Sequence, residues 1–151
     1  MAESVRIQIV RLPSSEGIDL PAYQTKGSVG MDLRAAIQEP KIVSPGECCE
    51  VPTGLKISIP EGYEGQIRSR SGLALRKRVV VINSPGTIDC DFIGEIVIGI
   101  SNLGNQNFVV ERGARLAQLV IAPVVRAAWD LVEELDATER GEGGLGHTGN
   151  S

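Results

Sequence analysis

Asp89-Cys90-Asp91-Phe92 sets two carboxylates beside an aromatic ring, and it follows directly on Asn83-Ser84-Pro85-Gly86-Thr87-Ile88. A carboxylate at the mouth of a turn can take a proton from water, and a phenyl ring can pack on a flat or sugar-like ligand. The same residue types also build turns that do no chemistry, because Asp and Asn side chains bond to nearby backbone N–H groups. A second candidate is the glycine-rich end, Arg140-Gly141-Glu142-Gly143-Gly144-Leu145-Gly146-His147-Thr148-Gly149. Closely spaced glycines let several backbone N–H groups face one anion, with an arginine beside them for charge. No Lys-Ser or Lys-Thr pair closes it as in a P-loop, and polar, glycine-rich ends are commonly frayed.

These residues need strands to hold them. Val79 to Ile82 and Ile96 to Ile100 are rich in β-branched residues and flank the Asp89 segment, which predicts a β-hairpin arm bent at Pro85-Gly86. Val5 to Arg11 alternates as a half-buried strand does, with Val5, Ile7 and Ile9 on one face. Lys26 to Ala36 reads as a loop entering a strand, with Asp32 its one carboxylate. Pro40, Pro45-Gly46, Pro52 and Pro60 then punctuate the chain and leave short strands such as Leu55 to Ile59. Gln66 to Arg68 is strand-like, and Arg70 to Arg76 is the one plausible short helix, with Ser71 placed to cap it. Phe108 to Val110, Leu116 to Ile121 and Val124 to Val132 complete the strands. The expectation is an all-β, single-domain chain over residues 1–132 with a flexible arm over 133–151.

Bulk properties narrow the class. A length of 151 residues suits one domain with a sizeable core. With 15 Lys plus Arg against 19 Asp plus Glu, the net charge of −4 argues against a nucleic-acid partner, so any phosphate must be held by a local cluster. Cys48, Cys49 and Cys90 give neither a disulfide framework nor a metal-ligand spacing, as expected for reduced thiols in a cytoplasmic protein. The longest apolar run, Leu116 to Val125, is broken by Gln118 and Pro123, which predicts no membrane span.

Five segments stand in a telling order: Gly30-Met31-Asp32-Leu33, Arg70-Ser71-Gly72-Leu73-Ala74, Gly86 to Gly94, Arg112-Gly113-Ala114-Arg115-Leu116-Ala117-Gln118, and Arg140 to Gly149. In this order and spacing the chain resembles the trimeric dUTP diphosphatases over nearly its whole length. The resemblance implies a β jelly roll of the β-clip kind and a homotrimer with sites at subunit boundaries, each closed by a neighbour's arm. It also implies hydrolysis of dUTP to dUMP and diphosphate with Mg2+, limiting dUTP and supplying dUMP for thymidylate synthesis. By the same resemblance Asp89 holds the attacking water in line with the α-phosphorus. Since a carboxylate in water is a weak base at neutral pH, much of the rate must come from positioning and charge neutralisation.

The remaining roles follow from the same likeness. Arg70, Ser71 and Gly72 meet the phosphate chain, Gln118 bonds a phosphate or the water, and Asp32 reaches the metal only through water. At least one of Arg112 and Arg115 is expected in turn-stabilising or interface salt bridges. Asn83 and the hairpin backbone read the edge of uracil, with Thr87, Ile88 and Val97 on the wall. Arg140 reaches the γ-phosphate, and Leu145, Gly146 and Thr148 belong to the closing arm. Phe92 stands where the family usually has Tyr, so the ring that stacks on deoxyribose lacks a hydroxyl. Leu145 replaces the usual aromatic lid, and His147 a smaller residue. Relatives that deaminate dCTP carry Arg-Ser-Ser where this chain has Arg70-Ser71-Gly72, and a silent binder on the same trimer would not require Asp89, Arg70, Ser71 and Gln118 together.

Overall fold

The computed structural model describes residues 4–144. Ten strands, one α-helix and a 3-10 turn at Pro13–Ser15 form it: β1 Gln8–Arg11, β2 Met31–Arg34, β3 Lys41–Val43, β4 Cys48–Ser58, β5 Tyr63–Ser69, α1 Ser71–Lys77, β6 Val79–Val81, β7 Gly86–Ile88, β8 Glu95–Asn102, β9 Phe108–Val110 and β10 Arg115–Pro123. Two four-stranded sheets, ordered β1-β4-β8-β6 and β2-β10-β5-β7, are joined by the small β3-β9 ladder. Every pairing is antiparallel. The architecture is a jelly-roll-like all-β fold, as the sequence predicts.

Alternation does most of the building. Along β8, Ile96, Ile98 and Ile100 are buried while Val97 between them is 40% exposed. Burying each such side chain contributes roughly 1.5–3 kcal/mol. With Leu33, Val51, Val110 and Ile67 they make one core between the sheets.

The Asp89 hairpin forms, but not as a plain turn. Its arms pair as expected, Val79 with Asn102 and Val81 with Ile100, extended by the Ile82 N–H donating to Gly99 O at 2.9 Å. Between them β7 leaves that sheet and pairs with β5 of the other one, with Gly65 opposite Ile88 and Ile67 opposite Gly86. The segment therefore straddles both sheets.

Four expectations are corrected. The strand read over Val5 to Arg11 begins only at Gln8 and lies at a sheet edge, where pairing with β4 alone leaves all four residues exposed. Pro52 does not end a strand: β4 runs through it as one element, because the register against β8 shifts between Pro52 and Lys56. A bulge tolerates a residue without an N–H. Gly54 inside that bulge has φ +65°, and a Cβ there would lie 2.5 Å from the Ser15 Cβ, so no other residue fits. Ser71 does not cap the helix; Arg70 occupies the cap position and Ser71 is already helical. Finally, Val124 to Val132 is not a strand. Ladder structure stops at Pro123, and Val125, Trp129 and Leu131 are 94%, 94% and 99% exposed, since among the described residues no strand pairs with them. Among the described residues no helix is long and apolar enough to cross a membrane.

Candidate active site

The cationic residues gather just beyond the C-terminal end of β5, Arg70 at the cap of α1 and Arg115 at the start of β10. β10 lies between β2 and β5, so Gln118 stands opposite Asp32 on one side and Arg68 on the other. Asp32 thereby meets Arg70, with Nε at 2.8 Å from Oδ1, and Arg115, with Nη1 at 3.2 Å from Oδ2. Arg70 Nη1 also donates to the Arg115 carbonyl at 3.0 Å. Gln118 Nε2 donates to Ser69 O at 3.0 Å, and a Cβ at Gly30 would come within 2.4 Å of Gln118 Oε1, so glycine there leaves room for the amide. Two guanidiniums against one carboxylate leave a net positive charge, which suits a polyphosphate. Ser71 and Gly72 are exposed in the first turn of α1, whose N–H groups have no intrahelical acceptor.

The hairpin makes a separate cleft of about 360 Å3 lined by Asn83, Thr87, Ile88, Phe92 and Val97 together with Gly86. These are all the base and sugar candidates read from the sequence outside the arm. Asn83 sits against Gly86, where an added Cβ would lie 3.1 Å from its Nδ2. The return strand is pinned by the Gly54 N–H donating to Glu95 Oε1 at 2.7 Å and by Thr53 Oγ1 donating to Ile96 O at 2.7 Å. Asp89 is exposed and lines a neighbouring cleft of about 440 Å3 with Tyr63, Glu64, Asp91 and Arg126. Its carbonyl accepts the Phe92 N–H at 3.2 Å, closing the turn.

One chain does not bring the two sets together. The β5–β7 ladder ends with Ile88 opposite Gly65, and one residue further Asp89 shares a cleft with Glu64, whereas Arg70, just past the end of β5, lies six positions along the chain from Glu64. At about 3.3 Å per residue that separates them by ~20 Å. Among the described residues no ion pair or side-chain hydrogen bond joins Asp89 to Arg70, Ser71 or Gln118.

The family model described as dUTPase matches residues 16–149. The chain belongs to the dUTPase family. A deoxyuridine 5'-triphosphate nucleotidohydrolase of Anaplasma marginale is 50% identical over 145 residues, spanning 96% of this chain and 99% of the relative. One from Rhizobium meliloti is 52% identical over 145 residues, covering 95% and 91%. Among solved structures, the dUTPase of Staphylococcus bacteriophage 80alpha with dUPNHPP superposes with a TM-score of 0.85 at 29% identity, over 96% of this chain and 99% of that one. A dUTPase from phage phi11 of S. aureus, described with a structural Mg(II) ion, gives 0.76 at 28% identity over 85% and 97%. Membership makes this chain a hydrolase.

One residue beside the cationic cluster, Ser69, was not singled out from the sequence. Ser69 is a junction: its Oγ accepts the Val81 N–H at 2.8 Å, its N–H donates to Ser84 Oγ at 3.2 Å, and its carbonyl takes Gln118. Only the neighbouring Arg70 signalled it. Arg115 makes its salt bridge to Asp32 on the neighbouring strand β2 and not at a turn, while Arg112 clamps turns through carbonyls, donating to Ser14 O, Ile37 O and Glu16 O at 2.8 to 3.0 Å. Arg140 folds onto its own segment, with Nε donating to Gly143 O at 2.7 Å. Leu145, Gly146 and Thr148 lie outside the described residues. Burial pushes the Cys49 thiol above its ordinary range, which disfavours the reactive thiolate.

Proposed function

We propose that the protein hydrolyses dUTP to dUMP and diphosphate by in-line attack of water at the α-phosphorus, in a homotrimer whose sites lie between subunits. The observation that carries this is the hairpin cleft, which gathers Asn83, Thr87, Ile88, Phe92 and Val97 and leaves Asp89 exposed beside it. Uracil and cytosine differ by the exchange of a carbonyl and N–H for an amine and a bare nitrogen. Fixed backbone groups of the hairpin, with the Asn83 amide, can satisfy one pattern and not the other. Phe92 packs on the deoxyribose and crowds out a 2′-OH. Asp89 then aligns the water, and Arg70, Ser71, Gly72 and Gln118 of a second subunit take the phosphates, stabilising charge that grows on the leaving diphosphate.

The ~20 Å gap along β5 supports the shared site, because a triphosphate bound in one chain's cleft needs the cationic cluster of another. So does the stretch after β10, where Val125, Trp129, Leu131 and Leu135 expose apolar side chains that a neighbouring copy would cover. Residues 133–151 act as the arm in this reading, with Arg140 on the γ-phosphate and Leu145, Gly146 and Thr148 completing closure.

The residues fit Mg2+ carried by the substrate. Among the described residues no group of three or more His, Cys, Asp or Glu could cage a metal, and both oxygens of Asp32 already accept from arginines. A hard ion that keeps its waters suits phosphate oxygens, with Asp32 at most reaching it through water. When bound, it neutralises phosphate charge. The three free thiols support a cytoplasmic location, where thiols stay reduced.

A product panel over dUTP, UTP, dCTP and dTTP with Mg2+ tests this. Diphosphate is expected from dUTP and little from the others. Ammonia from dCTP, or no diphosphate from dUTP, overturns it.

A further inference from the structure

We propose that Gly94 seats the Phe92 ring and thereby sets how well this dUTPase tells a deoxyribose from a ribose. A Cβ built on Gly94 would lie 2.6 Å from Cζ, 2.8 Å from Cε2 and 3.5 Å from Cε1 of Phe92. Carbon atoms ordinarily approach to about 3.5–4.0 Å, so the far edge of the ring occupies the space a side chain at 94 would need. The three nearest atoms all belong to that ring, and Gly94 has no positive φ. The backbone therefore accepts another residue, and the ring is the nearest obstacle.

What moves on substitution is decided by what is tethered. The residues after Gly94 are held at both Glu95, whose Oε1 accepts the Gly54 N–H, and Ile96, whose carbonyl accepts Thr53 Oγ1. Phe92 is 43% exposed and has no polar atom to anchor its ring. A methyl group at 94 thus pushes the ring, not the strand. Since Phe92 lines the same cleft as Asn83 and Val97, the displaced ring leaves the position from which it excludes a 2′-OH. Gly94 is a positioning residue in this scheme, and the proposal rests on the reading of Phe92 as the sugar-packing ring.

The test is a double-mutant cycle on the ratio of kcat/KM for dUTP to that for UTP, measured with Mg2+ on the full chain. Gly94→Ala is expected to lower the ratio about tenfold, a size typical of one misplaced apolar contact, with kcat for dUTP changed far less. Phe92→Ala should lower it at least as much, and adding Gly94→Ala to Phe92→Ala should lower it no further. An unchanged ratio in Gly94→Ala, or equal losses in both backgrounds, overturns the role of Gly94. An unchanged ratio in Phe92→Ala instead removes Phe92 from sugar selection, so the two failures are distinguishable. Should Gly94→Ala not fold, Phe92→Leu, too short to reach the seat, must lower the ratio; if it keeps selectivity that Phe92→Ala loses, the seat is irrelevant.

Discussion

The two ends of β5 are built in opposite ways. At the C-terminal end Arg70, Arg115 and Gln118 are each bonded to another group, and the Asp32 between the arginines is only 15% exposed. At the other end Asp89 stands exposed in a cleft that Glu64 also lines, with no side-chain hydrogen bond among the described residues. The contrast follows from what each end must do. Two guanidiniums repel unless a counter-charge holds them before any phosphate arrives. A carboxylate that must direct a water cannot spend its lone pairs on its own chain.

The largest effect should come from the untethered end. Asp89→Asn is expected to lower kcat about a thousandfold while the binding of a non-hydrolysable dUTP analogue, followed by calorimetry, stays close to that of the parent. Near-normal turnover would remove Asp89 from the chemistry. Next comes the arm: a chain cut before Arg140 should be inactive yet regain part of its activity when refolded with Asp89→Asn chains. Verified mixed trimers that stay silent would mean the arm and Asp89 do not belong to different subunits.

Breaking the bonded end should cost less per residue. Asp32→Asn removes the counter-charge without changing shape, and kcat/KM is expected to fall by about 2 kcal/mol, the scale of a hydrogen bond to a charged group. The loss should appear in KM as well as in kcat, since the arginines that Asp32 holds meet the phosphates in the ground state and the growing charge in the transition state. A loss confined to kcat would favour a water-linked metal role for Asp32. Smaller still is Leu145→Phe, expected to lower KM for dUTP because base-on-ring stacking is worth roughly 1–3 kcal/mol; a raised KM would speak against a lid at that position.

Much of this division was legible before folding, and the exceptions have physical causes. The β-branched run Ile96 to Ile100 and the run Leu116 to Ile121 pointed to β8 and β10, and the order of motifs led to the residues that line the hairpin cleft. Pro52 misled because a bulge depends on the partner strand, which a single strand's sequence does not display. Val124 to Val132 misled because apolar composition says that a segment must be covered, not by which chain. Asp32 read as a lone acid. Its bond to Arg70 exists only because β10 brings β2 and β5 to the same level, a property of register and not of spacing.

The smallest effect is expected where the two ends are tied together. Ser84 Oγ accepts the Ser69 N–H at 3.2 Å beside Asn83, so one serine joins the base-reading turn to the segment that leads into Arg70. In a trimer of the proposed kind those two elements serve different sites, and Ser84→Ala loosens one site from its neighbour without touching substrate. The bond is exposed, so stability should fall by only about 0.5–1 kcal/mol. The readout that matters is selectivity: with Asn83 less constrained, discrimination of dUTP against dCTP should weaken severalfold while kcat for dUTP holds. Equal losses for both nucleotides would mean that Ser84 supports the fold generally. That result would leave the hairpin's choice of base to its backbone alone.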